Sequence, residues 1–271
     1  MINLKTALEI ATATHPGMVR SHNEDCIAAD GEAGLAVLAD GMGGYNAGEV
    51  ASGMAVTQIK GELTKLLSEK QPEDLNEQQA EQLITEHAAR ANAAIFDSAQ
   101  KEPQYSGMGT TLVVALWHDN RISVGHVGDS RLYRLRDGKL SQVTRDHSLL
   151  QEQIDSGMIT KAQARHSQNK NLVTRAVGID PEVETEVHSY PVLVGDIYLM
   201  CSDGLNDMVT DEDIELTLSS LAANLPLAAQ QLVQQACDNG GRDNVSVILV
   251  RVAKDFGGRT GLMGKLKSWF R

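Results

Sequence analysis

The period of apolar and polar positions changes several times along the chain, and each change marks an element. Residues 8–14 (LEIATAT) alternate and predict a first strand. Residues 35–39 (LAVLA) are a short apolar run that ends at Asp40 and predicts a buried strand. From Ala47 to about Leu67 the period becomes helical, with Val50, Met54, Ile59, Leu63, Leu66 and Leu67 on one side. A second helix is predicted from about Asn76 to Ser98, with Ala80, Leu83, Ile84, His87, Ala91 and Ile95 aligned. Pro72-Glu73-Asp74 separates the two, so an antiparallel helix pair is expected.

Strand patterns return at 110–117, 121–128 and 131–136. Their two- or three-residue connections predict antiparallel pairing throughout this run. A polar stretch from Thr144 to about Asn171 reads as an exposed, partly helical excursion. Residues 183–192 and 196–202 read as strands, 211–221 and 227–237 as helices with Thr210 as an N-cap, and 244–252 as a last strand. Antiparallel strands interrupted by helix pairs define an α+β layered fold, with two sheets packed together and helices outside.

Composition narrows the function. The chain has 271 residues, 42% hydrophobic and 22% charged, and only 4% aromatic, so its core is aliphatic. A net charge of -12 argues against a nucleic-acid partner, which needs Lys and Arg for the phosphates. Cys26, Cys201 and Cys237 are odd in number, widely spaced and free of any C-x-x-C, which predicts reduced thiols in a cytoplasmic protein. No signal peptide is evident at the N-terminus, and no apolar stretch approaches the about 20 residues that cross a bilayer.

The chemistry sits in Asp-Gly and Asp-Asn pairs. Asp30-Gly31 and Asp137-Gly138 lie between short strand-like runs and read as turns. Asp40-Gly41 and Asp203-Gly204 instead end strongly apolar strands, where a carboxylate held near the core needs a partner charge. Gly41, Gly43 and Gly44 allow a backbone carbonyl to approach a ligand closely. Asn23-Glu24-Asp25, Gly128-Asp129 and Asp243-Asn244 add oxygen donors, with no sulfur ligand and no H-E-x-x-H. Hard cations such as Mn²⁺ or Mg²⁺ prefer such a site.

The ordered set R-x-x-N-E-D (20–25), D-G-M-G-G (40–44), G-D-S-R (128–131), T-R-D-H-S (144–148), S-D-G-L (202–205) and G-R-D-N-V-S (241–246) resembles the type 2C, metal-dependent protein phosphatase family in its bacterial form. The match covers roughly residues 8–252. The resemblance implies a four-layer α-β-β-α sandwich: two antiparallel sheets flanked by pairs of antiparallel helices. It implies hydrolysis of phosphoserine and phosphothreonine on proteins by a metal-bridging hydroxide, reversing a bacterial Ser/Thr kinase.

Carried over by motif, Asp40 bridges two ions, and Asp203 and Asp243 hold the first of them with it. The Gly41 carbonyl binds the second ion, with Glu24 and Asp25 near its waters. Asp129 shares a third, weaker ion with Asp203, and Asp207 matches a further ligand of that ion. Asn244 supports the Asp243 turn, and Arg20 clamps the phosphate as a planar, bidentate donor. Two cations sharing Asp40 can lower the pKa of a water between them.

The sequence departs from the family in places. Met42 stands where many eukaryotic relatives carry a histidine acid, so the leaving alkoxide takes its proton elsewhere, for example from a metal-bound water. His126 and His147 lie near motifs and read as structural. The variable flap, about 147–180, keeps T-R-A-x-G but has Ser167 where a proline is frequent. A catalytically dead phosphoprotein-binding relative should have lost Asp40, Asp203 or Asp243, and this chain retains all three. A phosphatase of small metabolites would use similar chemistry. The catalytic domain is expected over 1–253, as a monomer. A basic amphipathic tail follows over 254–271, with Leu262, Met263, Leu266, Trp269 and Phe270 at helical spacing. It suits docking on its own domain, or weak contact with a partner or an anionic membrane.

Overall fold

The computed structural model describes residues 4–44, 47–68, 74–160, 163 and 172–258. Ser167 and the apolar tail positions from Leu262 to Phe270 lie outside the described residues.

Eleven described strands form two antiparallel sheets. The first contains, in spatial order, β1 (Leu8–His15), β11 (Val245–Val252), β10 (Ile197–Cys201), β7 (Arg131–Arg136) and β8 (Lys139–Gln142). The second contains β2 (Asp25–Asp30), β3 (Leu35–Met42), β5 (Leu112–His118), β6 (Arg121–Val127) and β9 (Glu186–Pro191), with β4 (Gly109–Thr110) paired to β3. Against the second sheet lie α2 (Ala47–Ser68) and α3 (Glu77–Lys101). Against the first lie α6 (Asp211–Ser220) and α7 (Leu225–Asp238). Three short α-helices, α1 (Leu4–Ala7), α4 (Leu149–Asp155) and α5 (Asp203–Asn206), and a 3-10 helix at Pro103–Tyr105 are also described.

The LAVLA run shows why its strand lacks alternation. Leu35, Val37 and Ala39 pack toward α2 and α3, while Ala36 and Leu38 pack toward the other sheet. Both faces are therefore core. Between the sheets, Trp117 meets Tyr198 edge-on at 5.8 Å. Burying a large apolar side chain of this kind contributes about 1.5–3 kcal/mol, so the layers are held mainly by aliphatic and aromatic contact.

Local signals place the helix ends. Asn76 caps α3 reciprocally with Gln79, and Thr210 caps α6 through the Asp213 N–H. The last long helix starts two residues before the predicted position, because Asn224 caps it and Pro226 fits its first turn. Asp137 and Gly138 both have positive φ, 53° and 74°, as a tight β7–β8 hairpin turn requires.

One pairing expectation is overturned. β6 and β7 do not pair, although only three residues join them. Gly128, with φ 101°, turns the chain from the second sheet into the first. A Cβ there would lie 2.8 Å from the Thr111 side chain, so glycine makes the crossing feasible. The consequence is functional: the G-D-S-R motif bridges the two sheets at one end of the sandwich.

Packing continues past the last strand. Phe256 is fully buried in the inter-sheet core, and its N–H donates to the Asn120 side chain at 2.7 Å.

Candidate active site

Five strand ends meet at one end of the sandwich. Asp25 begins β2 and sits directly opposite Asp40 near the end of β3. Asp129 lies in the crossing between β6 and β7, Asp203 opens α5 just after β10, and Asp243 precedes β11. A rigid two-sheet frame thus gathers carboxylates from distant parts of the chain.

Backbone hydrogen bonds hold these positions. The Asp40 N–H donates to Thr111 Oγ1 at 3.0 Å, and the Asp40 carbonyl accepts from the Thr111 N–H and the Thr110 hydroxyl, each at 2.8 Å. Thr111 and Ser130 share a hydroxyl contact at 2.7 Å, which ties Asp40 to the Asp129 turn. Gly41 packs where no side chain fits: a Cβ would lie 2.1 Å from the Gly48 carbonyl oxygen. Its N–H donates to the Glu24 carbonyl at 3.1 Å.

Asn244 does more than support its own turn. Its N–H donates to Asp243 Oδ1 at 2.9 Å, and its side-chain oxygen accepts from the Glu24 N–H at 2.8 Å. Its amide nitrogen donates to the carbonyls of Pro16 and His22, at 3.0 and 2.8 Å. One side chain therefore fixes the loop that carries Arg20 and Glu24. Ser202 Oγ reaches across the sheets and donates to Asp25 Oδ2 at 2.8 Å. Thr111 and Ser202 are absent from the set read out of the sequence. Thr111 has no sequence signal, whereas Ser202 stands inside the S-D-G-L motif.

The electrostatics are those of crowded carboxylates. Asp40 lies well above the ordinary carboxylate range, first through burial and then through Asp25, Asp203, Asp129 and Asp243. Asp203 is raised in the same way by burial, Asp129, Asp207, Asp243 and Asp25. Burial raises Asp25 and Asp129 each to about 6. Arg20 lies at the mouth, half-exposed, and donates to Asp243 Oδ2 at 2.7 Å. Asp207 caps the end of α5, with its N–H on the Asp203 carbonyl, and shares with Asp129 and Asp203 the lining of a cleft of about 350 Å³.

The structure brings Asp25, Asp40, Asp129, Asp203, Asp207 and Asp243 into mutual electrostatic contact, with Glu24 and Arg20 beside them. No three of these carboxylates close to within 4.8 Å. Among the described residues that spacing is met by His126, His147 and Glu186. Arg20 meanwhile occupies Asp243 Oδ2 at 2.7 Å.

The site is thus an oxygen-rich acidic cleft at the end of a helix-flanked double sheet. The family model for Protein phosphatase 2C matches residues 19–236, and the chain belongs to that family. It is similar to the serine/threonine protein phosphatase PstP of Mycobacterium tuberculosis, 38% identical over 259 residues and 95% of this chain. The chain spans about half of that relative's length, 48%. It is 36% identical to the serine/threonine phosphatase stp of Listeria welshimeri, over 88% of this chain and 93% of the relative. In three dimensions it resembles the catalytic domain of PstP in complex with 2 manganese ions, with a TM-score of 0.79, 37% identity, and coverage of 91% of this chain and 99% of the other.

Proposed function

We propose that this chain is a metal-dependent protein phosphatase that hydrolyses phosphoserine and phosphothreonine on proteins, opposing a Ser/Thr kinase in the cytoplasm. The observation that carries the reading is the convergence of Asp25, Asp40, Asp129, Asp203 and Asp243 on one cleft, where burial and neighbouring carboxylates raise Asp25, Asp40, Asp129 and Asp203 above the ordinary carboxylate range.

The donor set suits divalent cations. It is all oxygen, as Mn²⁺ and Mg²⁺ prefer. Asp25 Oδ1 is buried with no hydrogen-bond donor among the described residues, so one acceptor is left for an ion or its water. Asp40, Asp203 and Asp243 would hold two core ions, with the Gly41 carbonyl completing the second and Glu24 and Asp25 beside it. Asp129, Asp203 and Asp207 would hold a third. When bound, such ions activate water and offset phosphoryl charge.

The chain's own residues do the rest. Arg20 meets the incoming phosphate with its planar donors and gives up Asp243 to do so. Asn244 keeps the Arg20 loop in register with Asp243. Thr111 and Ser202 fix Asp40 and Asp25. A cysteine nucleophile is not needed, and the thiols do not suit one. Burial pushes Cys201 up to about 12 and also raises Cys26 and Cys237, so all three stay protonated near neutral pH. Three free thiols also suit a reducing compartment.

The test is phosphate release from a phosphothreonine peptide with Mn²⁺ and with excess EDTA. The reading requires turnover in the first and none in the second; equal turnover in both would sink it.

A further inference from the structure

His147, at the start of the flap, joins separate stretches of chain through four of its atoms. Its backbone N–H donates to the Gly128 carbonyl at 2.9 Å, and its Nδ1 accepts from the Gly128 N–H at 3.2 Å. Its carbonyl accepts from the Thr174 N–H at 2.8 Å, where the flap returns, and Ser148 bridges to Val173 beside it. Its Nε2 faces the Glu186 carboxylate on β9 at 3.3 Å. The ring is buried and stacks on His126, with centroids 4.6 Å apart.

These bonds select one tautomer. A ring nitrogen that accepts a backbone N–H carries no proton, so neutral His147 holds its proton on Nε2 and donates it to Glu186. Burial keeps the ring neutral.

A second use of the same residues is disfavoured. His126, His147 and Glu186 place ligand atoms within 4.8 Å, a spacing that suits a zinc-type ion. A metal on His147 Nε2 would drive the proton to Nδ1, against the Gly128 N–H. His126, its Nε2–H on the Arg145 carbonyl at 2.7 Å, keeps only Nδ1 as an acceptor.

The neighbours of Asp129 show what the bonds achieve. Ser130 is held by Thr111, and Arg131 by a bidentate pair with Asp146. Gly128 is held on both its backbone groups by His147. The carboxylate of Asp129 therefore projects from a turn pinned at every adjoining residue, and His147 supplies the pin that also reaches the flap.

We propose that His147 is a positioning residue that locks the Gly128-Asp129 turn to both ends of the flap and to β9, and thereby sets how tightly the site takes up its outer divalent ion. The proposal rests on the reading of Asp129 as a ligand of that ion.

Three variants separate the roles of the ring. His147→Asn puts an acceptor where Nδ1 stands and keeps the Gly128 bond. His147→Gln reaches toward Glu186 without meeting Gly128, and His147→Ala loses both. The readout is the Mn²⁺ dependence of p-nitrophenyl phosphate hydrolysis. The half-saturating Mn²⁺ concentration should rise about tenfold in the Ala and Gln variants, the low end for outer-shell partners of a metal site, and return close to wild type in Asn. Nitrogen NMR of the unmodified, metal-free protein should find the His147 proton on Nε2. A proton on Nδ1, or an Asn variant no better than Ala, would overturn the proposal. Asp129→Asn is measured alongside. If it leaves the Mn²⁺ curve unchanged, the reading of Asp129 as a ligand fails and takes this proposal with it. If it shifts the curve while no His147 variant does, only the positioning role fails.

Discussion

Arg20 donates to Asp243 Oδ2 at 2.7 Å across a sequence separation of 223 residues. The guanidinium proposed to receive phosphate is thus held by a carboxylate proposed to receive a cation. Each would release the other when the site fills. The pair is half-exposed at the arginine, so it adds less than about 1 kcal/mol to stability. Its importance lies in catalysis. Arg20→Ala should leave the melting temperature nearly unchanged and lower kcat/KM for a phosphothreonine peptide about 100-fold, as loss of a preorganised donor does. Arg20→Lys should recover only part, because the bidentate geometry is gone. Steady-state kinetics beside a thermal melt checks both.

The Ser202–Asp25 bond spans the two sheets, and its surroundings make the metal-free protein sensitive to pH. Asp25 and Asp129 titrate at about 6 in the folded chain, against an ordinary value of 3.8. A raised folded pKa means that the folded state binds the proton more tightly than the unfolded state. Stability is therefore greatest below the unfolded value and is lost as pH rises through about 6. Two such groups amount to a few kcal/mol on linkage arithmetic. Urea unfolding in EDTA should show higher stability at pH 5 than at pH 7. Saturating Mn²⁺ should reverse that order by stabilising the ionised carboxylates.

Much of this site was legible because its parts are local. Asp40 stands at the end of an uninterrupted apolar run, and Thr210 and Asn76 announce their helices. The six motifs then supply the family. The missing pieces depend on tertiary placement. Only the fold reveals that Gly128 sends the chain into the other sheet, because a three-residue connection between two strand patterns looks like a hairpin. Thr111 supports Asp40 from the single residue between β4 and β5, with no polar pattern around it. The Arg20–Asp243 pair joins the two ends of the chain, and no spacing rule predicts it.

Close packing at Gly41 gives a structural test. A Cβ would lie 2.1 Å from the Gly48 oxygen and 2.7 Å from the Glu24 oxygen, and both neighbours are backbone. Neither can swing away as a side-chain tip would. Gly41→Ala should destabilise the protein by about 1–3 kcal/mol, the usual range for overpacking, measured by denaturant unfolding. It should also weaken Mn²⁺ activation, because any relief moves Asp40 or the start of α2. By contrast, a Cβ at Gly53 or Gly61 on α2 would meet nothing within 4 Å, and alanine there should be neutral or mildly stabilising.

The central claim is that Asp40 anchors the cations that make this chain a phosphatase. The most direct measurement titrates Mn²⁺ into the wild type and into Asp40→Asn, following bound metal by calorimetry and phosphate release from a phosphothreonine peptide in the same samples. The wild type should bind Mn²⁺ and gain activity together. The variant should lose tight binding and turnover while its metal-free form becomes more stable, since it no longer buries a carboxylate among four others. A variant that still binds Mn²⁺ like the wild type and releases phosphate at a comparable rate would contradict the account.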